Sequence, residues 1–378
     1  MMKKIFFTLV GIFLVLPPSA AAWRLGDLYT DAHLEEWRNR YVDNIRWNFD
    51  HLVLGKLTLA ERRRVAGVRL EFPLRPAGEL RDHLLQFYAA GDTIVVPIQS
   101  VRFFDDITQA WAWLWSNGHS LELVGDYLAM IKYRNPNDFP KGRFPPPLTA
   151  LKIPEDAWKH DPQMDDVSQK ALKSAMVWIL AHELAHIYHG HPGYGPGVTR
   201  SEAQENETAA DRFAAKIMRR IGVAPVGMLQ FFMAQAHLES GPGDFSSTAE
   251  WRRYIETEAT HPVTPKRLAA IADDLRHSPH QFTTEETDQA AALARMAFIA
   301  DQIESIGAVL ADPNIHRLTK AVGLATDLTS LRNRPRVTGE VQPTGRCPDA
   351  RDPAPFSGRY TGLLKRRLSS GESEWLPG

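Results

Sequence analysis

The chain has 378 residues, of which 44% are hydrophobic and 24% charged, with a formal net charge of −1. That length can bury one large core or two modest ones, and near-neutral charge excludes the strongly basic build of a nucleic-acid binder. A single cysteine, Cys347, excludes an internal disulfide framework.

Two lysines lie within the first four residues. An apolar stretch over 5–16 follows, interrupted only by Thr8 and Gly11, and leads to Pro17-Pro18-Ser19 and Ala20-Ala21-Ala22. A basic start, a short apolar run and small residues at its end are the pattern of a cleaved secretory signal over residues 1–22. The run falls short of the roughly 20 apolar residues that a membrane-spanning helix needs. The expectation is a secreted or periplasmic chain with no transmembrane helix in its mature part; an uncleaved anchor is the alternative.

Residues 23–49 have a helix-compatible pattern. Residues 64–72 alternate apolar and polar side chains, as a half-buried strand does. Residues 92–101 (DTIVVPIQSV) form a second strand candidate, which Pro97 assigns to a sheet edge because proline donates no ladder hydrogen bond. Helices are predicted over 106–116 and 121–133, then a proline-rich loop over 135–147. A long helix is predicted from Asp165 to His189, stopped by Gly190-His191-Pro192-Gly193. Another starts at Ser201, where Ser201 and Gln204 have capping-box spacing, and ends at Gly222. Further helices are predicted over 225–239, 265–277, 284–311 and 316–331. Residues 332–378, rich in Pro, Gly, Ser and Arg without apolar periodicity, are predicted to be disordered. The expected architecture is α+β and predominantly helical, one domain over 23–331, with a small sheet that has an exposed edge strand.

The long helix carries His182-Glu183-Leu184-Ala185-His186, the pattern H-E-x-x-H. Histidines four apart share one helix face, so both imidazoles reach a single Zn²⁺. Glu183 projects beside them, where a general base for an activated water stands. The preceding stretch, 175–181, is apolar nearly all round, so the motif lies at the end of a buried helix, where ionisable groups are costly unless bonded or ligated. A catalytic zinc needs a third protein ligand and an open position. On the next helix Glu207 is suited to be that ligand, and Asp211, one turn on, to orient a ligating imidazole. Glu202 and Glu205 are rival ligands on the same helix. His189 and His191 belong at the rim of the site or simply at the surface. His261, just before the Thr264-Pro265 helix start, can donate to a developing oxyanion or serve only as a turn residue.

HELAH, then NETAADRFA, then THPVTPKRL (260–268) resemble, in this order, the gluzincin metallopeptidases, in particular the CAAX prenyl endopeptidase family and its bacterial membrane and periplasmic relatives. The resemblance covers a motif core over 165–275. It implies one Zn²⁺ per chain on His182, His186 and Glu207, Glu183 as base, Asp211 in support, and His261 and Arg267 close to the reacting groups. It also implies a protein or peptide substrate, with nucleic acid excluded and peripheral contact with a membrane allowed. The edge strand over 92–101 would take the substrate as an added strand. Cys347, in the tail, offers a thiolate that would hold such a zinc latent, although an incidental cysteine is the plainer reading. A different class stays open: an exported binding or chaperone-like protein with a non-catalytic zinc. Against it, structural zinc sites favour four cysteine or histidine ligands.

Overall fold

The computed structural model describes residues 24–333 apart from 193–197, 242–243, 258–262 and 285. The signal predicted over 1–22, the tail predicted over 332–378 from residue 334 on, with Cys347, and also His261 lie outside the described residues. The fold is mostly helical with one small sheet, as the residue patterns predict.

The N-terminal part begins with α1 (Asp31–Asn48), capped by Thr30, whose hydroxyl accepts from the His33 amide. A short α2 (Leu59–Arg64) follows, closed at its start by a reciprocal Thr58/Glu61 capping box. The sheet comprises β1 (Arg69–Glu71), β2 (Tyr88–Ala90) and β3 (Thr93–Val95) in the order β1-β3-β2, with β1 parallel and β2 antiparallel to β3. This corrects two expectations. The segment over 64–72 divides into the end of α2 and a three-residue strand. The segment over 92–101 gives the central strand rather than the edge, and Pro97 caps α3 (Ile98–Ser116) instead of lying within a strand. The missing N–H of proline is harmless at a helix start, so the residue that argued for an edge marks a strand-to-helix junction. The two edges are β1 and β2.

The chain continues through α4 (Glu122–Tyr133) and two single turns, α5 (Pro147–Ala150) and α6 (Ala157–His160), to the 28-residue α7 (Pro162–His189). Asp161 caps α7 by accepting from the Met164 amide, and Pro162 fits the first helical position, so the helix begins three residues before Asp165. Next come α8 (Arg200–Ile221), α9 (Val226–Leu238), α10 (Thr248–Thr257) and α11 (Pro265–His277). The last helices are α12 (Gln289–Ala311), α13 (Pro313–Ala325) and α14 (Leu328–Arg332). The capping box of α8 is Thr199/Glu202, two residues earlier than the spacing of Ser201 and Gln204 suggests, because Thr199 is the last residue with extended backbone.

Helix α7 is the centre of the molecule, packed against α3, α8 and α9 and touched by β2 and β3. From Ala175 to His186 every residue is buried, which is why its sequence lacks an amphipathic period. The approach of α9 is unusually close. A Cβ built on Gly227 would lie 1.8 Å from the Ala171 carbonyl oxygen, and the Gly227 amide donates to Ser174 Oγ at 2.9 Å. Among the described residues no helix is long and apolar enough to cross a membrane.

Candidate metal centre

His182 and His186 lie in the last two turns of α7, and Glu207 and Asp211 lie one turn apart on α8. The antiparallel packing of these helices brings the four side chains together, all of them buried. His182, His186 and Glu207 each offer one ligand atom, and the three atoms lie within 4.8 Å of one another. The two Nε2 atoms are 3.2 Å apart, and each is near a different Glu207 oxygen, 3.4 Å for His182 and 3.5 Å for His186. Two imidazole nitrogens and a carboxylate oxygen converging on one point are the donor set of a transition-metal or zinc site with room for a further ligand.

The groups behind the ligands are ordered as well. Asp211 Oδ1 lies 2.9 Å from His182 Nδ1, which leaves Nε2 facing the ligand cluster. Arg267, at the start of α11, donates to Asp211 from Nε at 2.6 Å and from Nη2 at 2.9 Å, and its Nη1 is 2.9 Å from Glu207 Oε2. Thr264 caps α11 by accepting from the Arg267 amide, which fixes the arginine backbone at the helix start.

Burial raises the Asp211 pKa, but charge and hydrogen bonds from Arg267 and His182 together outweigh it and hold the carboxyl below its usual range. Burial likewise lowers that of His182, but hydrogen bonds and charge from Asp211 and Glu207 raise it well above an ordinary histidine. Ligand atoms, one from each of His182, His186 and Glu207, all three residues buried, converge within 4.8 Å of one another. The donor chemistry therefore fits a divalent cation.

Of the rival carboxylates, Glu202 is occupied in the α8 capping box and Glu205 accepts from Ser201, so neither joins the cluster. His189 stacks on His191 with ring centroids 5.2 Å apart, and His191 Nδ1 lies 3.0 Å from His186 Nδ1. His191 is therefore closer to the ligands than the rim position inferred from sequence. A turn after Gly190 brings it there, and helical spacing does not reveal that turn.

A cleft of about 1030 Å³ runs beside the cluster, with His182, Glu183 and Arg267 in its wall. One side is formed by Leu84 to Phe87, the segment that leads into β2; Trp178, Phe231 and Phe232 supply apolar and aromatic surface, and Trp251 and Tyr254 of α10 border it too. Nothing in the sequence patterns pointed to α10 or to the 84–87 segment as walls of a site.

No curated protein and no solved structure matches the chain. The model of one family, Peptidase U49, matches residues 132–285, a stretch holding His182, Glu183, His186, His191, Glu207, Asp211 and Arg267, so the part of this chain that builds the candidate metal site is similar to a family of peptidases.

Proposed function

We propose that the protein is an exported zinc-dependent metallopeptidase of the gluzincin kind, hydrolysing peptide bonds with Glu183 as general base. The observation that carries the reading is the convergence of His182, His186 and Glu207 within 4.8 Å, with Glu183 on the cleft side of the same helix. Similarity to a peptidase family over the same residues supports it, and the pattern of residues 1–22 supports export.

His182, His186 and Glu207 would hold the ion. Zinc bound there would supply a Lewis acid that polarises a carbonyl oxygen and makes water more acidic. Glu183, buried and bordering the cleft, is placed to take a proton from the attacking water and return it to the leaving amine nitrogen. Arg267 directs Nε, Nη1 and Nη2 to carboxylates, which favours holding Asp211 and Glu207 over direct contact with substrate. His261 remains part of the proposal as a donor to the developing oxyanion. The cleft wall over 84–87 and the β2 edge suit an extended peptide, whose backbone would pair with a strand edge while its side chains meet Phe87, Trp178, Phe231 and Phe232.

The test compares wild type with Glu183→Gln for zinc content and for cleavage of an unfolded protein substrate. The expected result is about one zinc in each and a rate lowered by about 10²–10⁴-fold in the variant, the size of a general-base contribution. Undiminished cleavage by the variant would remove Glu183 from the role, and a metal-replete wild type that holds no zinc would remove the reading. Zinc in both proteins with no cleavage by either would favour the binding or chaperone-like class.

A further inference from the structure

We infer that His191 is a positioning residue for the metal ligand His186, set in place by the C-terminal cap of α7; the inference rests on the metal-site reading above. Helix α7 ends at Gly190, whose φ of 68° and ψ of 36° are left-handed. That conformation turns the chain back, so the His191 amide donates to the His186 carbonyl oxygen at 2.9 Å. This cap is the common way to satisfy the last carbonyls of a helix. Here it has a second consequence. It places the His191 ring beside the ligand ring in an edge-to-face contact, with centroids 5.1 Å apart and the Nδ1 atoms 3.0 Å apart.

With Nε2 of His186 directed to the ion, its proton resides on Nδ1 and is donated to His191 Nδ1. His191 must then carry its own hydrogen on Nε2, and its stacking against His189 fixes the ring plane. The two ligating histidines are therefore held differently, His182 by the Asp211 carboxylate and His186 by a neutral imidazole. A neutral acceptor fixes orientation without adding a third carboxylate to Glu207 and Asp211, which keeps the bound ion more electrophilic than a second acidic partner would. Neither the H-E-x-x-H motif nor the third ligand requires this residue. It follows from one left-handed glycine and the residue that comes after it.

The test uses full-length wild type, His191→Leu and His191→Asn. Zinc affinity is measured by competition with a chromogenic chelator, the ligand field by absorption of the cobalt-substituted proteins, and folding by thermal unfolding with the metal stripped. Asparagine keeps an acceptor close to the position of Nδ1, whereas leucine removes it. The expected result is zinc affinity lower by about 10–100-fold and a shifted cobalt spectrum for His191→Leu. His191→Asn should stay near wild type in both, and all three metal-free proteins should melt alike. Wild-type affinity and spectrum in His191→Leu would overturn the inference. So would equal losses in both variants, or a loss of affinity that follows a fall in metal-free melting, because either marks a purely structural role. A wild type that binds no zinc overturns the reading beneath, and that control distinguishes the two failures.

Discussion

Arg267 has the most consequential charge around the ligands, because it lies against both Asp211 and Glu207 and all three are buried. Two carboxylates away from water need positive charge nearby, and removal of one partner from a buried ion pair is costly. Arg267→Leu is expected to destabilise the metal-free protein by about 3–5 kcal/mol, measured by denaturant titration in chelator. With zinc present the deficit should shrink, because the ion supplies part of the missing charge beside Glu207. An equal deficit with and without zinc would mean that the ion does not occupy this cluster. At this scale the sequence was most informative. The four-residue spacing of His182 and His186 requires nothing beyond a helix, and the one-turn spacing of Glu207 and Asp211 requires only a second one. The contact of Arg267 with Asp211 joins residues 56 positions apart, which no local pattern contains.

Between elements, the join of α2 to α8 has a definite pH dependence. The Glu61 carboxylate meets Lys216 at 2.6 Å and Arg220 at 2.6 Å, and it also accepts from the Thr58 amide. Burial raises its pKa, but these hydrogen bonds outweigh that and hold it well below the usual glutamate range. An acid with a depressed folded pKa contributes stability that is fully present above its unfolded value, about 4.3, and is lost as pH falls through the folded value. Glu61→Gln should therefore cost about 1 kcal/mol at pH 7, a figure kept small because the basic partners are solvated. The gap between wild type and variant should close as unfolding is followed downward from pH 5. A gap that stays constant with pH would show that the ion pairs contribute nothing. Element boundaries explain where the sequence misled. Pro97 is compatible with a strand edge and with a helix start, and burial of β3 between two neighbours selected the second. Likewise Thr199 displaced Ser201 as the cap of α8 because the cap is the residue at which extended backbone ends.

At the scale of the whole molecule, α1 is fastened to α3 by a buried polar cluster far in sequence from the H-E-x-x-H motif. Arg102, 1% exposed, pairs with Asp106 at 2.5 Å and stacks over Trp37; Tyr29 donates to Asp106 at 2.6 Å and Tyr41 to Asp105 at 2.5 Å. Helix α3 in turn packs on α7, so this cluster lies behind the helix that bears both histidines. Arg102→Met would leave Asp105 and Asp106 buried without their cation and is expected to cost about 3–5 kcal/mol in chemical denaturation. A loss below about 1 kcal/mol would show that the cluster does not depend on the arginine. Gly227 makes a related point about assembly, since any side chain there would collide with the α7 backbone at Ala171.

The sequence by itself determined the predominantly helical class, the buried helix with its H-E-x-x-H face and the choice of Glu207 and Asp211 on the following helix, because helical period and burial are properties of neighbouring residues. The tertiary structure alone decided that Arg267 is engaged with the carboxylates, that β3 is the central strand with β1 and β2 at the edges, that 84–87 and α10 line the cleft, and that His191 meets His186. These depend on how separate elements approach one another and on one left-handed turn at Gly190, and the energy of such contacts is shared between residues too far apart for any local pattern to record.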